Sequence, residues 1–118
     1  MEKKIYTYDE AFKAALEYFN GDELAARVWV NKYAVKDSFG NIYEKSPEEM
    51  HWRIANEIAR VEAKYDNPMS AQEIFDLLDH FRYIVPSGSP MTGIGNEFQI
   101  ASLSNCFVIG MEGKADSY

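Results

Sequence analysis

One side chain in this sequence is capable of thiol chemistry. Cys106 is the single cysteine, and its neighbours Ser102, Ser104 and Asn105 are small and polar rather than large and aliphatic. From the residues alone a packed core cysteine is the ordinary reading, because free cysteine is among the most buried residue types. A redox role needs a second thiol, so by itself Cys106 is at most half of a dithiol. Ser87-Gly88-Ser89 and Gly93-Ile94-Gly95 invite a nucleophile or a phosphate loop. A catalytic serine requires a histidine base and a carboxylate that orients it, and a phosphate loop follows a strand and opens a helix. Neither context surrounds residues 87–95, so this stretch reads as a turn leading into a strand, with small residues that can still set backbone N–H groups against a phosphate or ribose.

The two histidines give less. His80 follows Asp76 by one helical turn, near the end of its helix, where an imidazole complements the helix dipole. His51, beside Trp52 and Arg53, reads as a surface or packing residue. No metal is expected, since one cysteine and two distant histidines lack ligand spacing. The acidic pairs Asp9-Glu10 and Glu48-Glu49 read as first-turn charges that favour helix N-termini.

Those residues must be positioned by two unlike stretches of chain. Residues 1–85 carry 27 of the 31 charged side chains, whereas residues 86–118 carry only Glu97, Glu112, Lys114 and Asp116 and hold five of the seven glycines. In the first stretch a hydroxyl residue precedes a glutamate by three positions at Thr7/Glu10, Ser46/Glu49 and Ser70/Glu73, the pattern of a capping box. Apolar stripes of helical period follow: Phe12, Leu16 and Phe19; Met50, Ile54, Ile58, Val61 and Tyr65; Ile74, Leu77, Leu78 and Phe81. A further helix runs from an Asp22 cap through Leu24, Ala25, Val28, Trp29 and Lys32 to Val35, and residues 37–41 form a turn. The pattern predicts four helices over residues 7–83. From Pro86 the grammar changes to a loop, and Ile100–Ile109 is a strand candidate with Leu103, Asn105, Phe107 and Ile109 on one face and Ser102, Ser104, Cys106 and Val108 on the other. A lone strand leaves its backbone groups unpaired, so the chain is expected to be part of something longer.

Composition bounds the rest. A chain of 118 residues makes about one domain. With 12 basic against 19 acidic side chains the net charge is -7, which repels phosphate backbones and anionic lipid, so neither nucleic acid nor a membrane is an expected partner. No apolar run approaches the roughly 20 residues of a membrane span, and the charged N-terminal residues do not form a secretory signal, so a cytoplasmic location is expected.

The string Ser102-Leu103-Ser104-Asn105-Cys106-Phe107-Val108-Ile109, preceded by Ser89-Pro90-Met91-Thr92-Gly93 and by a helical domain, resembles the N-terminal part of a ribonucleotide reductase catalytic chain. Asp22 to Val28, Lys32-Tyr33-Ala34, Trp52-Arg53-Ile54-Ala55 and Ile58-Ala59 resemble the helical domain of that family. The resemblance implies a mainly α fragment: a four-helix domain over 1–85, then a substrate-side loop over 86–118 and the first strand of an otherwise missing ten-stranded α/β barrel. It implies glycyl-free thiyl-radical chemistry in which Cys106 is the first of two reducing cysteines, Ser89, Ser104 and Asn105 contact substrate, and Asp116 and Ser117 bind a deoxynucleotide effector. Asn105 stands where the family often has serine or alanine. The resemblance further implies adenosylcobalamin as the radical source in the full-length enzyme, with a metal-bearing radical subunit as the alternative. Its implied partners are the rest of the catalytic chain, ribonucleotide substrate, a second copy in a homodimer and a thioredoxin-like reductant. The family's optional ATP-binding cone is expected to be absent, and the 118 residues alone are expected to be inactive. Two other readings stand beside it: a non-catalytic helical module docking by its C-terminal strand, and a nucleotide-binding regulator using the Gly-Ser loop.

Overall fold

The computed structural model describes residues 3–104 together with residues 106 and 108. Five α-helices lie among them: α1 (Tyr8–Tyr18), α2 (Glu23–Lys32), α3 (Pro47–Glu62), α4 (Ala71–Leu78) and α5 (Gly88–Gly93), with a 3-10 turn, Asp79–Phe81, after α4. Helices α1 and α2 pack as one pair and α3 and α4 as another, and α3 also touches α1 and the 3-10 turn.

The helix starts expected from the hydroxyl–glutamate spacing divide three ways. Thr7 makes the full reciprocal capping box with Glu10. Ser70 accepts the Glu73 N–H at 3.1 Å, but the Glu73 carboxylate receives the Ser70 hydroxyl instead of the cap N–H. Ser46 makes no side-chain cap bond at all: the Glu49 N–H goes to the Ser46 carbonyl at 3.1 Å, and the Glu49 carboxylate is drawn elsewhere, accepting the Lys45 N–H at 2.9 Å and the Tyr6 hydroxyl at 3.2 Å. Asp22 caps α2 as expected, accepting the Ala25 N–H at 3.0 Å. The turn between α2 and α3 also forms where the sequence places it. One carboxylate, Asp37, gathers the backbone N–H groups of Phe39 and Asn41, the Asn41 amide and the Tyr43 hydroxyl.

The core lies where the helix pairs meet. Ala11, Ala15, Ala26, Val30, Met50, Ile54 and Ala55 are wholly buried, closed off by Trp29, Ile74, Phe75, Leu78 and Met91. Alanines occupy the α1–α2 seam, where close helix approach needs small residues, while the larger Phe12, Leu16 and Phe19 lean against it half-buried. The expected α3 stripe runs out into solvent: Val61 and Tyr65 are exposed.

Two expectations for the second stretch are corrected. Residues 88–93 are helical rather than loop. The helix does not continue through Pro86 but starts afresh at Gly88, so Pro90 falls in the first turn, where an amide N–H has no intrahelical partner to lose. Among the described residues the strand expected from Ile100 is not formed: residues 100–104, 106 and 108 are irregular, and Ile100 and Val108 are fully exposed. The physical reason is the missing partner, since an unpaired extended segment gains no ladder bonds. Among the described residues the only β-type pairing is isolated, Ile42 with Tyr6 and with Lys36.

Candidate functional site

Helix α5 presents Ser89, and the chain then turns back across it. The Ser89 hydroxyl lies 3.5 Å from the Ser104 carbonyl oxygen, which it reaches as a donor. One turn further along, Gly93 sits beneath the returning segment, so closely that a Cβ there would come within 3.0 Å of Leu103 and 3.3 Å of Ala101. Ser104 is held locally as well, its N–H donating to the Ser102 hydroxyl at 3.3 Å. Two residues beyond Ser104, Cys106 is free and exposed. It is therefore not the packed core thiol that residue statistics favour. The structure brings Ser89 and Ser104 together as a pair, with Cys106 following at the same end of the segment. Asn105, Asp116 and Ser117 lie outside the described residues.

What holds α5 in place was not singled out as a site from the sequence. Arg53 on α3 donates through Nε to Glu44 Oε2 at 2.9 Å and through Nη2 to Glu44 Oε1 at 3.4 Å. Its two terminal nitrogens also donate to backbone carbonyls at the far end of α5, Nη1 to Ile94 and Nη2 to Met91. Both side chains are largely buried, 11% exposed for Arg53 and 7% for Glu44. Glu44 Oε1 also accepts the Val35 N–H at 3.1 Å. Burial pushes the Glu44 carboxyl above its usual range, opposed by the Arg53 charge and hydrogen bond. Immediately after Ile94, Gly95 has φ +73° and rests on the Arg53 side chain, where a Cβ would meet Arg53 Cγ at 2.9 Å and its carbonyl oxygen at 3.1 Å. A sequence signal existed: Arg53 falls on the face of α3 defined by Met50 and Ile54, where a charged residue needs a partner.

Beside this ion pair a cleft of about 430 Å3 opens, lined in part by Tyr6, Tyr43, Trp52, Asn56 and Phe98. Tyr43 and Phe98 stack on each other in its lining, their ring centroids 4.6 Å apart.

The histidines are both structural. His51 is wholly buried with Nδ1 3.5 Å from Asp79 Oδ1, and Phe81 meets its ring edge-on. It is the packing residue of the two roles its sequence position allowed. His80 does not cap α4 in the expected way. Its backbone is left-handed, φ 55°, and its ring stacks on Tyr18 at 4.4 Å, while Asp76 instead receives the Gln72 amide.

A family model described as the ribonucleotide reductase all-alpha domain matches residues 19–97. The chain belongs to the ribonucleotide reductase large-chain family. The matched span takes in α2 through α5 together with both Arg53 and Gly95, so the ion pair and the close glycine are parts of the ribonucleotide reductase domain itself. It ends before Ser104 and Cys106. Neither the curated proteins nor the solved structures contain a match to the chain. The ribonucleotide reductase domain has no helix, among the described residues, long and apolar enough to cross a membrane, and no cluster of side chains there is suited to a metal ion.

Proposed function

We propose that this chain is the N-terminal part of a ribonucleotide reductase that converts ribonucleotides to deoxyribonucleotides by thiyl-radical chemistry, with Cys106 as one of its two reducing thiols. The observation that carries the reading is the exposed Cys106 immediately after the Ser89–Ser104 contact, on a chain whose preceding residues are the family's all-alpha domain. In the reaction a thiyl radical elsewhere in the enzyme takes the ribose 3′ hydrogen and later returns it. The reducing pair supplies two electrons and two protons, the 2′ hydroxyl leaves as water, and the two thiols end as one disulfide. Cys106 needs to lie beneath the sugar with its sulfur free, and Ser89, Ser104 and Asn105 are the groups that would hold the ribose or its phosphates there.

In this reading residues 1–85 are the scaffold and residues 86–118 the substrate side, and the segment from Ile100 finds its strand partners in the barrel of the full-length chain. Asp116 and Ser117 contribute to a deoxynucleotide effector site in a homodimer, and a thioredoxin-like protein reduces the disulfide. Adenosylcobalamin is the radical source in this proposal. No described residue is assigned a part in holding it, and the His51 ring is sealed in the core. From this chain the reaction draws on the Cys106 thiol and on the polar groups of Ser89, Ser104 and Asn105.

The deciding experiment is Cys106→Ser in the full-length enzyme. Loss of multiple turnover with a dithiol reductant, and loss of the disulfide that wild-type protein forms after one round without reductant, are the expected results. Unchanged reduction would remove the redox role. The 118 residues alone are expected to show no turnover, since one cysteine cannot close a disulfide within the chain.

A further inference from the structure

The substrate-side pair depends on a helix that has little to hold it. Helix α5 is six residues long, its Ser87 cap makes no side-chain bond, and Met91 is its only buried residue. A helix this short is not stable by its own hydrogen bonds. Its C-terminal end is tied down by Met91 and Ile94 against the core, by the Asn96 amide on the Thr92 carbonyl at 3.0 Å, and by the guanidinium of Arg53, which takes the carbonyls of both Met91 and Ile94. Arg53 can do this because Glu44 fixes the other edge of its planar donor fork and balances its charge inside the protein. Gly95 completes the seat, its missing side chain leaving room for the stem of Arg53.

We infer that Arg53, held by Glu44, is a positioning residue for substrate: it fixes α5 so that Ser89 stands against Ser104 at the approach to Cys106. Arg53 touches neither serine, and its influence passes through the backbone of α5. The inference rests on the reading of Ser89 as a substrate contact. It adds that affinity for the ribonucleotide is set partly from α3, on the ion pair's side of the helix.

The test uses the full-length reductase with four variants: Ser89→Ala, Arg53→Lys, Gly95→Ala and the double variant Arg53→Lys/Ser89→Ala. Lysine keeps a charge for Glu44 but cannot span both carbonyls, while Gly95→Ala leaves the ion pair chemically intact and displaces it sterically. The ribonucleotide dissociation constant is measured without turnover, alongside KM and kcat. Each single variant is expected to weaken binding and raise KM by about fivefold or more with kcat changed far less, the signature of lost ground-state binding. The double variant is expected to be no worse than the poorer single one, because both changes act through the same hydroxyl. If Ser89→Ala weakens binding while folded Arg53→Lys and Gly95→Ala enzymes bind normally, the inference is overturned and the substrate-side reading survives. If Ser89→Ala binds normally, the reading of Ser89 fails and the inference fails with it. Penalties that add in the double variant would also overturn it, since they would place Arg53 on a separate route to the substrate.

Discussion

The Tyr18 hydroxyl donates to Asp79 Oδ1 at 2.9 Å, joining α1 to the turn that follows α4 across 61 positions of sequence. The same oxygen accepts the His80 backbone N–H at 2.6 Å. Tyr18→Phe keeps the ring and removes both bonds, and it is expected to cost about 1–3 kcal/mol in urea denaturation. Burial, reinforced by the bond to Asp79, holds the phenol's pKa well above its ordinary 10.0. The unfolded chain therefore loses this proton first, so stability present below about pH 10 should fall as the solution is made more alkaline, and fall less in Tyr18→Phe.

A second pH limb belongs to His51. Its burial depresses the imidazole pKa below 6.5; Asp79 opposes that shift, and the nearby His80 and Arg53 charges add to it. Protons are then bound preferentially by the unfolded state as pH drops below the ordinary value, so stability rises with pH through this window and is lost in acid. His51 Nε2 has no hydrogen-bond partner among the described protein atoms, so the charged ring is favoured from the Nδ1 side, by Asp79, and gains no bond at Nε2. His51→Phe should flatten the limb, checked by denaturation midpoints from pH 7 down to about pH 5.

Two glycines with left-handed backbones should respond differently to alanine. Gly40 has φ +85° and open space where a Cβ would go, so Gly40→Ala carries the conformational strain alone, about 1 kcal/mol. Gly95→Ala adds the collision with Arg53 and is expected to cost about 2–3 kcal/mol. Equal losses in thermal denaturation would mean that the Arg53 seat yields without resistance.

The helix starts give a matched pair. Thr7→Ala removes a working cap and should destabilise by about 1 kcal/mol, whereas Ser46→Ala removes no cap bond and should cost no more than a few tenths.

That contrast also marks how far the sequence could be read. The hydroxyl–glutamate spacing located three real helix starts, because an N-terminus must satisfy its free N–H groups close at hand. It could not say which carboxylates would stay home: Glu49 is taken by Tyr6, a residue 43 positions away. The apolar stripes found the core faces of α3 and α4 but missed that Phe75 would be buried by stacking on Trp52. Helix α5 was illegible for a similar reason. Its residues have poor helical propensity, and the groups that secure it, Arg53 and Glu44, are remote in sequence. At the candidate site, family resemblance points to Ser89 and Ser104, while nothing in the sequence points to the polar support beneath them.

Cys106 gives a simple chemical check. Because the thiol is exposed, the folded chain should react with one equivalent of a maleimide at nearly the rate of the urea-unfolded chain. A rate slower by tenfold or more would mean that the segment shields its sulfur.

The two indoles are placed as separate optical reporters. Trp29 on α2 donates its N–H to the sulfur of Met50 on α3 at 3.3 Å, and Trp52 on α3 stacks face to face with Phe75 on α4 at 4.0 Å. One chromophore thus watches each of two different joints of the bundle. Emission recorded from single-tryptophan versions can time the parting of the α2–α3 joint independently of the α3–α4 joint, with no dye attached.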